Sequence, residues 1–145
     1  MARFKFRLQS VLTIKEKVED LKKNEFGKAV SALAEAQRVL AEMEAARGRC
    51  IDDFRREIDV GIDPAAFARY NQFLDNVKLA IKRQEFVVEQ CEIFVEQKRQ
   101  ELVEAMRDKK TLETLRENDF EEFLIEEKKL EQKVVDEIVS FKGNR

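Results

Sequence analysis

The sequence predicts an all-α protein in which two long helices form an antiparallel coiled-coil hairpin, with the second helix longer and overhanging. Three observations lead to this fold class. Charged residues make up 40% of the 145 residues, with only 4 Gly and 1 Pro, a composition that favours long helices and few turns. Apolar residues recur every seven positions from Phe67 to Leu102, as in a coiled-coil seam. One strong turn signal lies near residue 61.

The first helix is expected over residues 10–58. Its apolar side chains step by three and four along this range, which is the spacing of one helix face. Ser10 is a candidate N-cap. Gly27 and Gly48 lie inside the pattern without turn-forming neighbours, so we expect the helix to continue through both.

The turn is expected at residues 59–63, followed by the second helix over residues 64–141. Gly61 suits the conformation that ends a helix, Asp63 is a good N-cap, and Pro64 fits a first helical turn. So short a connection makes the helices antiparallel. We expect residues 1–145 to form a single elongated unit.

The second helix is too long to be covered by the first. In a hairpin turning near Gly61, the numbers of opposed residues sum to about 122, which places Ser10 opposite Leu112. Residues after Leu112 then have only residues 1–9 as intrachain partners. This tail nevertheless carries an apolar row, which we expect something to bind. The row is Phe120, Phe123, Leu130, Val134, Ile138 and Phe141.

The first nine residues alternate large apolar with basic side chains. Both an extended segment and an extension of the first helix are compatible with this pattern, and we prefer the helix. Residues 3–7 carry three bases and no acid, whereas residues 117–127 carry six acids and no base.

The second helix is apolar around much of its circumference, which exceeds what one partner helix covers. Beside the seam run two further rows, and the sequence leaves open which row faces the first helix. The seam is Phe67, Leu74, Ile81, Val88, Val95 and Leu102; the second row is Phe73, Ala80, Val87 and Phe94; the third is Leu79, Phe86 and Ile93.

Composition and motifs argue against several function classes. The chain has no His and a formal charge of -2, so we expect no enzyme and no nucleic-acid partner. Cys50 and Cys91 match no metal-site spacing and are expected to be reduced, buried thiols. No apolar run approaches the roughly 18 residues of a membrane span. We expect a soluble intracellular protein with no catalytic residue, no cofactor and no metal.

A candidate recognition surface lies near the turn. Four residues of the second helix step by four, three and four, and four residues of the first helix lie roughly opposite. Two interpretations stay open: flanking core positions, or a groove for a partner formed by both helices. The residues are Phe73, Val77, Ala80 and Gln84, opposite Val39, Met43, Ala46 and Cys50.

Several stretches resemble the flagellar FliJ family. The opening FKFRLQSVLTIKEKVEDLKK is similar to the family's N-terminus, and YNQFLDNVKLAIKRQ resembles the start of its second helix. The charged stretch QKRQELVEAMRDKKTLETL and the final EKKLEQKVVDEIV also have counterparts. The resemblance extends over nearly the whole chain.

The resemblance implies a cytoplasmic component of the flagellar type III protein export apparatus, peripheral to the inner membrane at the flagellar base. The implied partners are a hexameric export ATPase, the cytoplasmic domain of the membrane export gate, and substrate-specific export chaperones. Phe73, Val77, Ala80 and Gln84, with their four companions, would bind the gate. The implied ATPase-facing residues are Phe4, Phe6, Leu8, Phe120, Phe123 and Leu130.

Two alternative functions belong to other classes of protein. One is a purely structural coiled coil that self-associates through the extra apolar rows. The other is a general cytosolic chaperone or adaptor that holds amphipathic partner helices. We expect a monomer or weak self-association, since the stalk-like role implied by the resemblance requires free docking surfaces.

Overall fold

The computed structural model describes residues 2–143, and two α-helices account for nearly all of them. Helix α1 spans Gln9–Val60 (52 residues) and helix α2 spans Pro64–Gly143 (80 residues). No strand occurs between residues 2 and 143. The predicted all-α hairpin is confirmed. Helix α1 is three residues longer than expected and α2 two residues longer. Met1, Asn144 and Arg145, which belong to the expected unit 1–145, lie outside the described residues.

The helices contribute to two compact units. One unit comprises Met1–Lys22 with Leu102–Arg145, and the other comprises Lys23–Glu101. Each unit therefore contains part of α1 and part of α2. That the chain behaves as one elongated unit stays a prediction.

The connection at residues 61–63 follows the expected turn chemistry. Gly61 has φ of 108°, a conformation that side chains other than hydrogen disfavour. Its N–H donates to the carbonyl oxygens of Glu57 (3.0 Å) and Ile58 (3.2 Å), which closes α1. The Asp63 carbonyl accepts from Phe67 N–H at 3.0 Å, and its carboxylate accepts from Ala65 N–H at 3.4 Å. Asp63 is thus the N-cap of α2.

In the Lys23–Glu101 unit, the seam row of α2 packs against α1. Ile81 and Val88 are only 6% and 9% exposed, and Ala29 and Ala36 of α1 are also buried. Small Ala side chains allow the larger Ile and Val to fill the space between the helices. Phe73 and Phe94 of the second row are exposed, as is the whole third row. The structure therefore resolves which row faces α1.

Polar residues of α2 also contact α1 beside the seam row. Gln84 Nε2 donates to the Ala36 carbonyl oxygen at 2.9 Å. Lys98 Nζ lies 3.4 Å from Glu25 and 3.1 Å from Glu101. The hydrogen bond to Glu101 is the main cause that raises the pKa of Lys98. These contacts satisfy polar atoms that a coiled-coil seam would otherwise bury at a cost.

In the other unit, α1 and α2 are held by a mixed apolar and ionic contact. Leu12 and Ala105 are buried. Glu19 is 5% exposed, and its carboxylate lies 3.1 Å from Lys109 Nζ. Lys15 and Asp108, whose numbers total 123, pair at 3.6 Å. The predicted register, a sum of about 122, is confirmed here.

Residues 2–8 are not helical, so the preference for a helix there was wrong. Residues 2–6 have no regular secondary structure and residues 7–8 form a turn. Burial alternates: Phe4, Phe6 and Leu8 are buried or half-buried, while the bases that precede each of them are exposed. An extended chain places alternate residues on one side, and packing of that side outweighs helix propensity. Gln9 N–H donates to Phe6 O (3.1 Å) and Leu12 N–H to Leu8 O (2.9 Å), so Ser10 lies inside α1 and is not its cap.

The C-terminal part of α2 is exposed. Every residue from 128 to 143 is exposed, including the apolar row at Leu130, Val134, Ile138 and Phe141. None of the helices, over the residues that the structure describes, is apolar enough for long enough to cross a membrane. Cys50 and Cys91 are free thiols, half-buried where full burial was expected.

Candidate docking surfaces

The first surface is a groove near the turn, here called the tip groove, with a volume of about 430 Å³. Tyr70, which lines the groove, packs against Phe54 of α1, whose ring centroid lies 5.0 Å from that of Tyr70 and 5.3 Å from that of Phe67. Such tilted aromatic contacts stabilise beyond simple burial. The lining residues are Cys50, Glu57, Ala66, Arg69, Tyr70 and Phe73.

The tip groove also has a polar wall. The Tyr70 hydroxyl donates a hydrogen bond to the Glu57 carboxylate, and this bond raises the pKa of Tyr70 above 10.0. Burial and the charges of Glu57, Asp53 and Cys50 act in the same direction. The groove thus combines apolar side chains such as Phe73 with a phenol, a carboxylate and the guanidinium of Arg69, a mixture typical of protein-recognition surfaces.

Only two of the eight candidate gate-binding residues line this groove. Phe73 is 51% exposed at its edge, and Cys50 lies across from it on α1. Gln84 points at α1, as its hydrogen bond to Ala36 shows. The other five are half-buried: Val39, Met43, Ala46, Val77 and Ala80. The assignment of all eight to gate binding stays a prediction.

A second groove lies farther along the same unit. It has a volume of about 400 Å³ and is lined by Phe86, Val87 and Phe94 of α2 with Ala29 and Ala32 of α1. Lys98 Nζ lies 5.2 Å from the centroid of the Phe94 ring, within the range of a cation–π contact. Phe86, which belongs to the third row, is 61% exposed. This apolar face has no cover among the residues that the structure describes.

The third surface, in the unit that contains the termini, is a cluster of three aromatic rings. The Phe4 ring centroid lies 5.2 Å from that of Phe120 at an interplanar angle of 68°, and 5.6 Å from that of Phe123. The guanidinium carbon of Arg116 lies 6.0 Å from the Phe4 centroid. The structure therefore brings together three of the six candidate ATPase-facing residues.

The other three candidates differ in exposure. Phe6 is 8% exposed, so a partner reaches it only if residues 2–8 move. Leu8 is half-buried. Leu130 is 56% exposed, beyond a groove of about 540 Å³ that includes Leu124 and Ile125. Binding of the ATPase by these six residues stays a prediction.

Sequence reasoning did not single out Arg116, Arg69 or Tyr70. Arg116 precedes Phe120 by four residues, so both lie on one face of α2, and this spacing was visible in the sequence. The placement of Tyr70 depends on its packing against Phe54, and that of Arg69 on the tip groove that it lines; the sequence specifies neither. Between residues 2 and 143, no group of three or more His, Cys, Asp and Glu side chains is placed to hold a metal ion.

Comparison with known proteins gives one consistent result. The profile of the family described as flagellar FliJ protein matches residues 4–145. The flagellar FliJ protein of Bacillus subtilis is 26% identical over 135 residues, which cover 93% of this chain and 92% of that protein. The structure of a YscO homologue from Chlamydia trachomatis superposes with a TM-score of 0.72 at 20% identity, covering 96% of this chain and 94% of that one. That structural similarity supports the two-helix fold.

Proposed function

Since the chain belongs to the flagellar FliJ protein family, we propose that it is a non-enzymatic component of the flagellar type III export apparatus. In this role it binds the hexameric export ATPase, promotes its assembly and activity, and links it to the membrane export gate and export chaperones. It acts in the cytoplasm and reaches the inner membrane only through these partners.

The observation that carries this proposal is the exposed apolar row of α2 beyond the part covered by α1. Leu130, Val134 and Ile138 are about half exposed and follow one another at steps of four, as residues on one helix face do. A monomeric protein seldom keeps such a row in water without a partner. A helix face of this kind suits insertion into a complementary apolar cavity of an oligomeric partner.

The tip groove supports a separate contact with the gate. Phe73 and Tyr70 give it aromatic side chains of the type that dominate binding energy at protein interfaces. Residues of the α1/α2 seam, such as Gln84, would influence this contact by holding the two helices in register. We therefore propose that Phe73 and Cys50 contact the gate directly, and that the other six candidates, which are half-buried, act indirectly.

The decisive experiment adds the purified protein to its cognate export ATPase. Hexamer formation is followed by sedimentation and ATP hydrolysis by phosphate release. We expect both to increase with the unmodified chain and both gains to be lost with the double variant Leu130→Glu and Ile138→Glu. The control, Gln132→Glu, adds negative charge at an exposed polar position of the same helix and should retain both. Equal effects of unmodified chain and double variant would contradict the role of this row.

The gate contact is tested with the variant Phe73→Ala. Binding to the isolated cytoplasmic domain of the gate should fall about tenfold or more, which is the usual effect of truncating an aromatic hot spot, with ATPase stimulation retained. Leu79→Ala is the matched control, since Leu79 is equally exposed on the same helix but does not line the tip groove. Equal losses for both variants would show that the tip groove is not the site.

One alternative is favoured by a specific observation. The exposed third row (Leu79, Phe86 and Ile93) repeats every seven residues, which suits a second copy of the chain. Sedimentation at micromolar concentration separates the alternatives. A stable oligomer that Phe86→Glu dissociates would favour a self-associating structural coiled coil over the export role.

A further inference from the structure

The N-terminal segment lies along α2 in the region proposed to receive the ATPase. We call residues 2–8 the strap, and Arg116, Phe120 and Phe123 the seat. The strap has no regular secondary structure, and Phe4 contacts both rings of the seat at centroid distances of 5.2 and 5.6 Å. Arg116 lies over the Phe4 ring. The N-terminal segment of the chain thus covers the Phe120–Phe123 pair of its own α2.

The strap and the adjoining part of α2 also carry opposite charges. Arg3, Lys5 and Arg7 of the strap line a groove of about 640 Å³ together with acids of α2. These acids belong to the run of six between residues 117 and 127 that contains no base. Like charges four residues apart destabilise a helix, and three cations beside them relieve this repulsion. The acids that line the groove are Asp119, Glu122 and Glu126.

Three features make the strap releasable. Over the residues that the structure describes, no backbone hydrogen bond joins the strap to α2, and its backbone bonds to α1 are Gln9 N–H to Phe6 O and Leu12 N–H to Leu8 O. Its three cations are exposed, so salt at about 0.1 M or more screens their attraction to the acids. Ordering an extended segment also costs backbone entropy at every residue. Burial of Phe6 and the contacts of Phe4 oppose these costs.

We propose that the strap is an autoinhibitory contact, which competes with the partner for the Phe120–Phe123 seat. The partner would replace it with a segment of like chemistry, an apolar or aromatic side chain flanked by Lys or Arg. This inference rests on the proposed function, in which this end of α2 receives the export ATPase, and it assigns Phe4, Phe6 and Leu8 to covering the seat in place of contacting the ATPase. Leu130 and the row beyond it stay exposed while the strap is closed, so a partner engages there first and then displaces the strap.

Two variants of the full chain test this. Phe4→Ala removes the ring from the seat, and the triple change Arg3→Glu, Lys5→Glu and Arg7→Glu reverses the charge while keeping Phe6. Helicity is checked by circular dichroism. Lys17→Glu, at an exposed position of α1, is the control for added negative charge. We expect faster hydrogen exchange at the amides of residues 116–123 in both strap variants, and in the unmodified chain when salt is raised.

Affinity for the export ATPase is then measured. If the strap is closed in about nine molecules of ten, its release raises apparent affinity about tenfold, so we expect tighter binding by both strap variants and no change with Lys17→Glu. Unchanged exchange, or binding by Phe4→Ala that is equal to or weaker than that of the unmodified chain, would overturn the strap's inhibitory role alone. Failure of every form of the chain to bind would overturn the proposed function as well.

Discussion

Gln84 Nε2 donates a hydrogen bond of 2.9 Å to the main-chain oxygen of Ala36, across the seam between α2 and α1. Gln84 lies between Ile81 and Val88, which are both buried. A polar residue at such a position fixes the register of a coiled coil at some cost in stability. The bond gives the Gln84 amide a polar partner where it faces α1 beside the apolar seam row.

Replacing Gln84 with Leu should stabilise the hairpin by up to about 1 kcal/mol, since the apolar side chain suits the seam and the Ala36 oxygen loses only a modest net contribution. The measurement is the free energy of unfolding by chemical denaturation. Gln97→Leu, at an exposed position of α2, should leave it nearly unchanged. A loss of stability with Gln84→Leu would show that the hydrogen bond outweighs apolar packing.

This seam shows what the sequence could and could not predict. The helix bounds, the turn at Gly61 and the register follow from periodicity and turn chemistry, because each depends on neighbours in sequence. The choice among the three rows does not follow from hydrophobicity. Gln84 and Lys98 contact α1 beside the seam row, whereas Phe86 and Phe94, which are more apolar, are exposed.

The candidate docking surfaces were predicted less completely for a related reason. Sequence spacing placed Phe73, Val77 and Gln84 together near the turn, but it could not separate a side chain that faces α1 from one that faces solvent. The sequence could not decide between an extended strap and a helix, because the extended conformation depends on the burial of Phe6, a tertiary contact that overrides local propensity.

The Glu19–Lys109 pair predicts an unequal effect of two substitutions. Lys109→Leu should lower the melting temperature clearly, because Glu19 is a buried residue, 5% exposed, and its carboxylate loses the cation at 3.1 Å. Glu19→Leu should lower it less, since Lys109 is more exposed and also lies 3.7 Å from Glu113. Lys110→Leu, at a neighbouring exposed position, is the control. Equal losses for the two substitutions would contradict this account.

The pH dependence of that pair has a definite sign. The hydrogen bond to Glu19 is the main cause that raises the pKa of Lys109 above 10.5. A raised lysine pKa gives a contribution to stability that is complete below the unfolded-state pKa and disappears as pH rises through the folded-state pKa. The difference in melting temperature between the unmodified chain and Lys109→Leu should therefore shrink above pH 10.5. A difference that grew in that range would reverse the assigned sign.

Replacement by Ala should have opposite effects on stability at Gly61, in the turn, and at Gly27 and Gly48, inside α1. Gly61→Ala should destabilise by about 1–2 kcal/mol, because its φ of 108° brings Cβ close to the carbonyl oxygen. Gly27→Ala and Gly48→Ala should each stabilise by up to about 1 kcal/mol, as Ala is the better helix former. At both helix positions an added Cβ meets nothing within 4 Å. Denaturant titration of the three variants measures this, and stabilisation by Gly61→Ala would refute the left-handed turn.

The ionisation of Tyr70 can be followed by absorbance as a probe of the tip groove, because the chain contains 1 Tyr and no Trp. Its hydrogen bond to Glu57 favours the neutral phenol and raises its pKa above 10.0, so alkaline absorbance should show ionisation at a higher pH than free tyrosine. Glu57→Gln removes the charged acceptor and should move the midpoint toward 10. Glu44→Gln makes the same charge change at an exposed position of α1 and should leave the midpoint unchanged.

The contribution of the Tyr70–Glu57 hydrogen bond to stability is present below pH 10 and is lost as pH rises through the folded-state pKa. A midpoint that Glu57→Gln does not move would show that the hydroxyl is free in solution and that the groove lacks this polar wall.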